Sequence, residues 1–396
     1  MLLVGGGGIA EAQSLATPSP LDPAHGAELF DSDEGRNGFR AGSFDLRAAA
    51  GLALAYDSNV YATRTNVTAK PLAVGELLLL AENRSSRREF DARGYVRSRR
   101  FSEVDDQDTD EFGAAMRFAA WPGSQDALSA SMAAEQRFES RVDMETPTNI
   151  PVSVYDSFRG DLAYAHLFNR VRIETEGQAR RYQYGDATQQ YRDRSVYRAQ
   201  LEGAVQARAD LAWTFTAYYN RDAYDDPGPN TDSADTVGAL AGVRIDLREM
   251  LELELGAGYF ERHFDSGAEP LDGIALRGSL SWHPTRLTQV RGELRRSDEP
   301  TQIPGALAKI RTEGSIQVAH EYSRSLQLFV GARAVFDDFV EDSRVDRLYL
   351  AELGANLQLG RHSVLRFAYY YGSRDNAAPD RNFSRHLASL SFIGRL

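Results

Sequence analysis

Charged residues recur at alternate positions in several stretches of this chain. Arg170, Arg172, Glu174, Glu176 and Arg180 form one series, Arg291, Glu293 and Arg295 a second, and Arg311 with Glu313 a third. Arg333, Glu352 and Arg366 stand in the same phase within their own segments. Carboxylates and guanidiniums mixed in this way are not an acid–base pair. Ranged along one face of a strand, they either set a transverse field that selects what passes, or they form a salt-bridged wall that solvates an interior and stiffens it. The sequence leaves both readings open.

Other chemistry finds no local motif. There is no G-x-S-x-G, no P-loop and no H-E-x-x-H. The seven histidines (His25, His166, His263, His283, His320, His362, His386) lack metal-ligand spacing. We expect neither an enzyme nor a resident cofactor, although a catalytic site assembled from separate strands would leave no motif to read. Three acidic stretches, Ser102 to Asp110, Asp222 to Asp235 and Phe336 to Asp346, offer oxygen ligands of the kind that hold Ca²⁺ or Mg²⁺ loosely. Solvated acidic loops are the plainer reading.

The chain has 396 residues, a formal net charge of −12 and no cysteine. A mean hydropathy of −0.44, with no apolar run near ~20 residues, excludes an α-helical membrane protein. Net acidity argues against a nucleic-acid partner, because such binding rests on neutralising phosphates. The apolar start Met1–Ala10, followed by Ala10-Glu11-Ala12, reads as a truncated secretory signal over residues 1–12. Residues 13–42 are rich in Pro, Gly and Asp and read as a flexible lead segment or a small plug.

From residue 43 to 396 the elements that must position the charges are period-two segments. In 251 to 259, Leu251, Leu253, Leu255, Ala257 and Tyr259 share one face, and Glu252, Glu254, Gly256 and Gly258 share the other. Successive side chains of a strand point to opposite faces, so each segment has an apolar face and a polar, small-residue face. We count about eighteen such segments, from Phe44 to Phe383, with sixteen as the alternative. Short turns (Pro122 to Gln125, Phe168-Asn169, Ala209-Asp210, Arg248-Glu249, His283 to Thr285, Ser323-Arg324, Gly360-Arg361) alternate with longer polar loops.

That alternation predicts a closed antiparallel transmembrane β-barrel, with short periplasmic turns and longer extracellular loops. In a bilayer every backbone amide must be paired, so a spanning sheet has to close on itself. Trp121, Trp213 and Trp282 all lie near short turns, where a membrane-interface aromatic girdle should fall. The last segment, Ala388 to Leu396, resembles the C-terminal strand by which barrel-assembly machinery recognises its clients, with Leu396 in place of the usual aromatic.

The stretch Arg40-Ala41-Gly42-Ser43-Phe44-Asp45-Leu46, continued by Tyr56-Asp57-Ser58-Asn59-Val60-Tyr61, resembles the opening segment of a family of outer-membrane β-barrel porins. Members of that family often accompany exopolysaccharide and exosortase genes. The resemblance implies the outer membrane of a Gram-negative cell, a role in polysaccharide secretion, and partners among polysaccharide-export components, lipopolysaccharide and other outer-membrane lipids. It brings no catalytic residues. Tyr56, Asp57, Ser58 and Asn59 mark a strand exit, where Asx and Ser side chains bond amides that have lost ladder partners; contact with a cation or a saccharide is the alternative. Two functions stay open, a channel and a non-conducting scaffold that binds surface polymer or lipopolysaccharide.

Overall fold

The structure is a computed structural model. It describes residues 38–396 apart from 143–151, 229–230, 248–249, 302, 304–305, 341–343 and 376–380. The expected signal segment, most of the lead segment and the Arg248-Glu249 turn therefore lie outside the described residues.

Period two becomes strand throughout. The elements are β1 (Phe39–Ala41), β2 (Phe44–Asp57), β3 (Lys70–Arg84), β4 (Arg88–Phe101), β5 (Thr109–Ala120), β6 (Asp126–Phe138) and β7 (Val154–Phe168). They continue as β8 (Val171–Tyr184), β9 (Arg194–Arg208), β10 (Leu211–Tyr224), β11 (Ala234–Asp246), β12 (Leu251–Phe264) and β13 (Leu271–Thr285). The last six are β14 (Thr288–Pro300), β15 (Ala308–Ser323), β16 (Leu326–Phe339), β17 (Val345–Gly360), β18 (Ser363–Asp375) and β19 (Phe383–Arg395).

Each strand from β2 onward pairs antiparallel with the next, and β19 returns to β2, from Leu387↔Asp57 to Arg395↔Ala49. The barrel is closed by eighteen strands. β1 lies outside this count. It pairs with the start of β2 (Ala41↔Phe44) through a turn in which Gly42 takes φ +64. A flexible segment reaching residue 42 is thus corrected at its end, since Phe39–Ala41 is a strand. The turn expected at His283 to Thr285 is also displaced. Those residues finish β13, Arg286 and Leu287 make the turn, and Pro284 sits at a register shift, where a residue without N–H costs no ladder bond.

The two faces of the wall differ as alternation requires. On β2, Leu52 and Leu54 are 57% and 64% exposed on the outside, while Ala53 between them is fully buried. Phe215, Ile274, Val330, Leu353 and Phe392 continue this apolar outer belt. Strands run from 12 to 16 residues, longer than the ~9–11 needed to cross a bilayer, so they project beyond it. Buried apolar residues form small separate clusters inside the wall instead of one central core.

Two departures from a uniform cylinder position the lumen side chains. A Cβ on Gly258 would stand 1.8 Å from the Ala239 carbonyl oxygen, and one on Gly242 would stand 2.2 Å from that of Leu255. The backbones of β11 and β12 therefore meet at a corner that only glycine permits. Beyond it, the β13–β14 ladder stops at Leu276↔Arg296, while β12–β13 continues to Arg262↔Leu271 and β14–β15 to Pro300↔Ala308. The outer ends of β14 and β15 fold inward, where Ala308, Leu307 and Ile310 pack on Phe260, Phe264 and Leu271.

Candidate functional site

The inner wall carries the charges. On β8, Arg172, Glu174, Glu176 and Arg180 all take the inward phase opposite the exposed Ile173, and Arg172 donates to Glu174 at 2.6 Å. Arg180 lies over the Tyr182 ring at 4.6 Å. Arg170 does not join them. It lies in the exposed turn between β7 and β8, because the ladder ends at Phe168↔Val171.

On β14, Arg291, Glu293 and Arg295 share the phase opposite Leu294. Arg311 reaches Asp337 through two hydrogen bonds of 2.7 Å, and Arg333 donates to Glu313 at 2.6 Å. Glu352 and Arg366 are both 2% exposed; the Glu352 carboxylate lies over Gly331, and the Arg366 guanidinium lies 4.8 Å from the Phe329 ring centre. The expected charges are therefore distributed round the wall and gather into no single ring.

Sequence reasoning missed the most heavily bonded clusters. Arg97 donates to Glu76 and Glu111, each at 3.0 Å. Arg262, 1% exposed, donates to Asp222 and Asp298 at 2.9 Å, and the Thr236 hydroxyl donates to Asp298 at 2.6 Å. Since Asp298 belongs to the infolded end of β14, this cluster ties that end to β10, β11 and β12. Arg244 joins Glu202 and Glu254 at 2.8 and 2.7 Å. Strand phase was the available signal for Arg97, Glu111, Arg244 and Glu254, which alternate with the apolar Val96, Phe112, Val243 and Leu255, whereas Arg262 and Asp298 have polar neighbours on both sides.

The strand-exit residues close the seam between β2 and β19. Tyr56 points out and is 54% exposed, while Asp57 is fully buried and accepts from Arg385 Nε at 3.0 Å and from the Asn59 amide at 2.9 Å. The Ser58 hydroxyl accepts from the His386 amide at 2.8 Å. Asn59 donates to the carbonyls of Thr63 and Ser384 and accepts from the Thr63 amide.

Trp213 and Trp282 are 51% and 42% exposed on the outer face. Trp121 has the other phase. It packs against Ala127 and Ala165, which are buried on the inward side, because it follows β5 in register with the buried Ala119 and not with the exposed Phe118. It is not an outward girdle residue.

The acidic loops are largely paired within the protein. Asp225 accepts from Arg181, Asp265 from Arg221, Glu103 from Lys70 and Asp106 from Tyr61. Hydrogen bonds from these cations hold the Asp225, Asp265 and Glu103 carboxyls below their ordinary range, and burial with the Asp106 contact raises the Tyr61 phenol. Among the described residues no three His, Asp or Glu side chains are grouped to hold a metal ion.

A family model described as "Putative beta-barrel porin 2" matches residues 34–394. A comparison with curated proteins finds no match. Similar solved structures include OccAB3 of Acinetobacter baumannii, at 9% identity and TM-score 0.44, covering 89% of this chain and 99% of that one. The outer membrane protein opdK of Pseudomonas aeruginosa is 10% identical with TM-score 0.46, covering 89% and 99%. The siderophore receptor PirA of Pseudomonas aeruginosa is 8% identical with TM-score 0.44, covering 89% and 80%.

Proposed function

The chain belongs to this beta-barrel porin family, and from that premise we propose that it is an outer-membrane channel with a water-filled lumen of mixed charge. One observation carries the reading. A closed wall of eighteen strands turns a belt of large apolar side chains outward and gathers many Arg, Asp, Glu and Gln side chains on its inner face. A barrel of this strand number encloses more width than wall side chains fill. The protein performs no covalent chemistry in this reading and works by admitting and sorting polar solutes. Its lipid partners are outer-membrane lipids and lipopolysaccharide, with any Ca²⁺ or Mg²⁺ held only loosely at the acidic rim, and its folding depends on barrel-assembly machinery. Assistance to exopolysaccharide export, with export components as partners, rests on the resemblance of residues 40–63 alone.

Planar-bilayer conductance of the refolded barrel tests the channel, measured with residues 13–37 present and removed so that the β1 hairpin stays intact. Steady conductance in both forms supports an open pore. Conductance only after removal makes the lead segment a plug. Silence from both forms of correctly folded protein overturns the channel. Cell fractionation tests the outer-membrane location, and loss of surface polysaccharide on deletion tests the export role.

A further inference from the structure

Of the inward arginines, Arg97, Arg172, Arg244, Arg262, Arg311 and Arg333 meet carboxylates, and Arg99, Arg194 and Arg366 lie against aromatic rings. Three more have neither kind of partner among the described residues. Among the described residues Arg198 of β9 makes no hydrogen bond and no ion pair, although it is half-buried on the inner wall opposite the outward Tyr197. Arg277 of β13 bonds only the neutral Gln200, at 3.1 Å. Arg295 of β14 bonds only the Ser297 hydroxyl, also at 3.1 Å.

These three converge although they lie on separate strands. Arg277 and Arg295 are cross-strand partners. Arg277 reaches Gln200 over three intervening strands, which is open to it because the corner at β11 and β12 presents glycine where side chains would stand. Gln200 lies two residues from Arg198 on the same face of β9. Arg295 exerts the strongest charge effect on Arg198, and Arg277 and Arg295 both act on Tyr218, whose ring covers Gly238. Glu176, Asp222 and Glu299 act on the cluster from beyond salt-bridge distance, and the last two are drawn toward Arg262 and Arg311.

The chain as a whole carries a net charge of −12. Three guanidiniums held close together without carboxylate partners, in a protein with acid to spare, leave their planar donor forks open to an oxyanion from solution. Gln200 adds an amide that can bond hydroxyls, and Tyr218 adds a flat apolar face with a hydroxyl tip. Those three features together match a sugar ring bearing a carboxylate.

We propose that Arg198, Arg277 and Arg295 form an anion-recognition station in the lumen that takes uronate-type acidic sugars. The proposal rests on the channel reading for its role in passage, but not for binding itself. Local enrichment by a one-signed cleft is on the order of tenfold or more, and that is the preference expected for anions over cations.

The test combines two readouts on the full barrel. The first is the reversal potential in a salt gradient, together with block of the current by sodium glucuronate, inorganic phosphate and neutral maltotriose. The second is calorimetric titration of the same three probes into the detergent-folded protein. The variants are Arg198→Gln, which breaks no bond in the structure, and the triple exchanges of all three arginines to Gln and to Lys, each checked for heat-modifiable mobility as folded barrel. Anion preference and glucuronate binding that fall severalfold in Arg198→Gln and vanish in the triple Gln form are expected, with the triple Lys form restoring the anion preference but not the glucuronate binding, since an ammonium carries the charge without the planar fork. Phosphate bound as tightly as glucuronate would overturn the acidic-sugar assignment. Selectivity and binding unchanged in the Gln variants would overturn the station altogether. If no form conducts, the channel reading fails by itself. Glucuronate binding that depends on the arginines would then still support the site, and its absence would overturn that too.

Discussion

On the inner faces of β3, β4 and β5, Arg97 sits between Glu76 and Glu111 with all three side chains at 10% exposure or less. On β9 and β13, Arg198 and Arg277 are half-buried and touch no carboxylate. The same residue type in the same inward phase is thus used in two ways. A guanidinium taken out of water has its desolvation offset by carboxylates, as at Arg97, or by an aromatic face, as at Arg366. One that lies on the lumen face without a carboxylate is not neutralised and projects its charge into the lumen. The first sector behaves as wall and the second as lining, and the corner at Gly242 and Gly258 lies within the second, between β9 and β13, where Arg277 reaches Gln200 across it.

The comparison breaks most directly at Arg97. Its replacement by Leu leaves two buried carboxylates facing each other, and removing one partner from such a group costs about 3–5 kcal/mol. Urea unfolding of the lipid-folded barrel should show that loss as a lower midpoint with an unchanged slope. A loss below roughly 1 kcal/mol would mean that the Glu76 and Glu111 side chains are hydrated, and the wall sector would then be no different from the lining.

Gly258→Ala should come next. Its added methyl would stand 1.8 Å from the Ala239 carbonyl oxygen, so the β11–β12 corner has to open, at a cost on the order of 1–3 kcal/mol for overpacking. The temperature at which the folded band disappears on a gel should fall accordingly. An unchanged temperature would show that the corner is slack and that Arg277 is not steered across it.

Arg277→Gln sharpens the contrast from the other side. It removes one hydrogen bond to a neutral amide and should change the unfolding free energy by no more than about 1 kcal/mol. A loss as large as that of the Arg97 variant would assign Arg277 to the wall.

The barrel could be read from the chain because alternation is a local property and turns punctuate it. Every segment from Phe44 to Phe383 became a strand, and among the described residues the short-turn, long-loop order survived, with Arg286-Leu287 replacing His283 to Thr285 as one turn. The phase of Arg172, Glu174, Arg295 and Arg333 followed from the same rule. Pairing did not. Whether an inward arginine finds a carboxylate depends on register across strands and on where the sheet bends, and neither is written in one segment. Arg262 meets Asp298 only because the β13–β14 ladder ends early, and Arg277 meets Gln200 only across a glycine corner. Arg170 and Trp121 failed for smaller reasons. Arg170 lies two residues past the end of β7, where alternation no longer decides direction, and Trp121 keeps the phase of the buried Ala119 although its nearness to a turn suggested the girdle.

The smallest effect belongs to the outer rim, where charges are paired yet wet. Arg221 donates to Asp235 and Asp265, and Asp265 is nearly half exposed, so the pair contributes roughly 0.5 kcal/mol at most. The Asp265 carboxyl is held below its ordinary 3.8 chiefly by the hydrogen bond from Arg221. A carboxyl depressed on folding contributes stability that is complete above its unfolded value and is lost as pH falls through its folded value. The rim should therefore be indifferent to pH from neutrality down to about 5 and loosen only below about 4. A carbon-13 NMR titration of the Asp265 carboxyl should give a midpoint below 3.8 that returns toward 3.8 in Arg221→Gln and in high salt. A wild-type midpoint at or above 3.8 would mean that the rim pair does not persist in solution. Partnered charge would then hold only where the wall excludes water, as it does at Arg97.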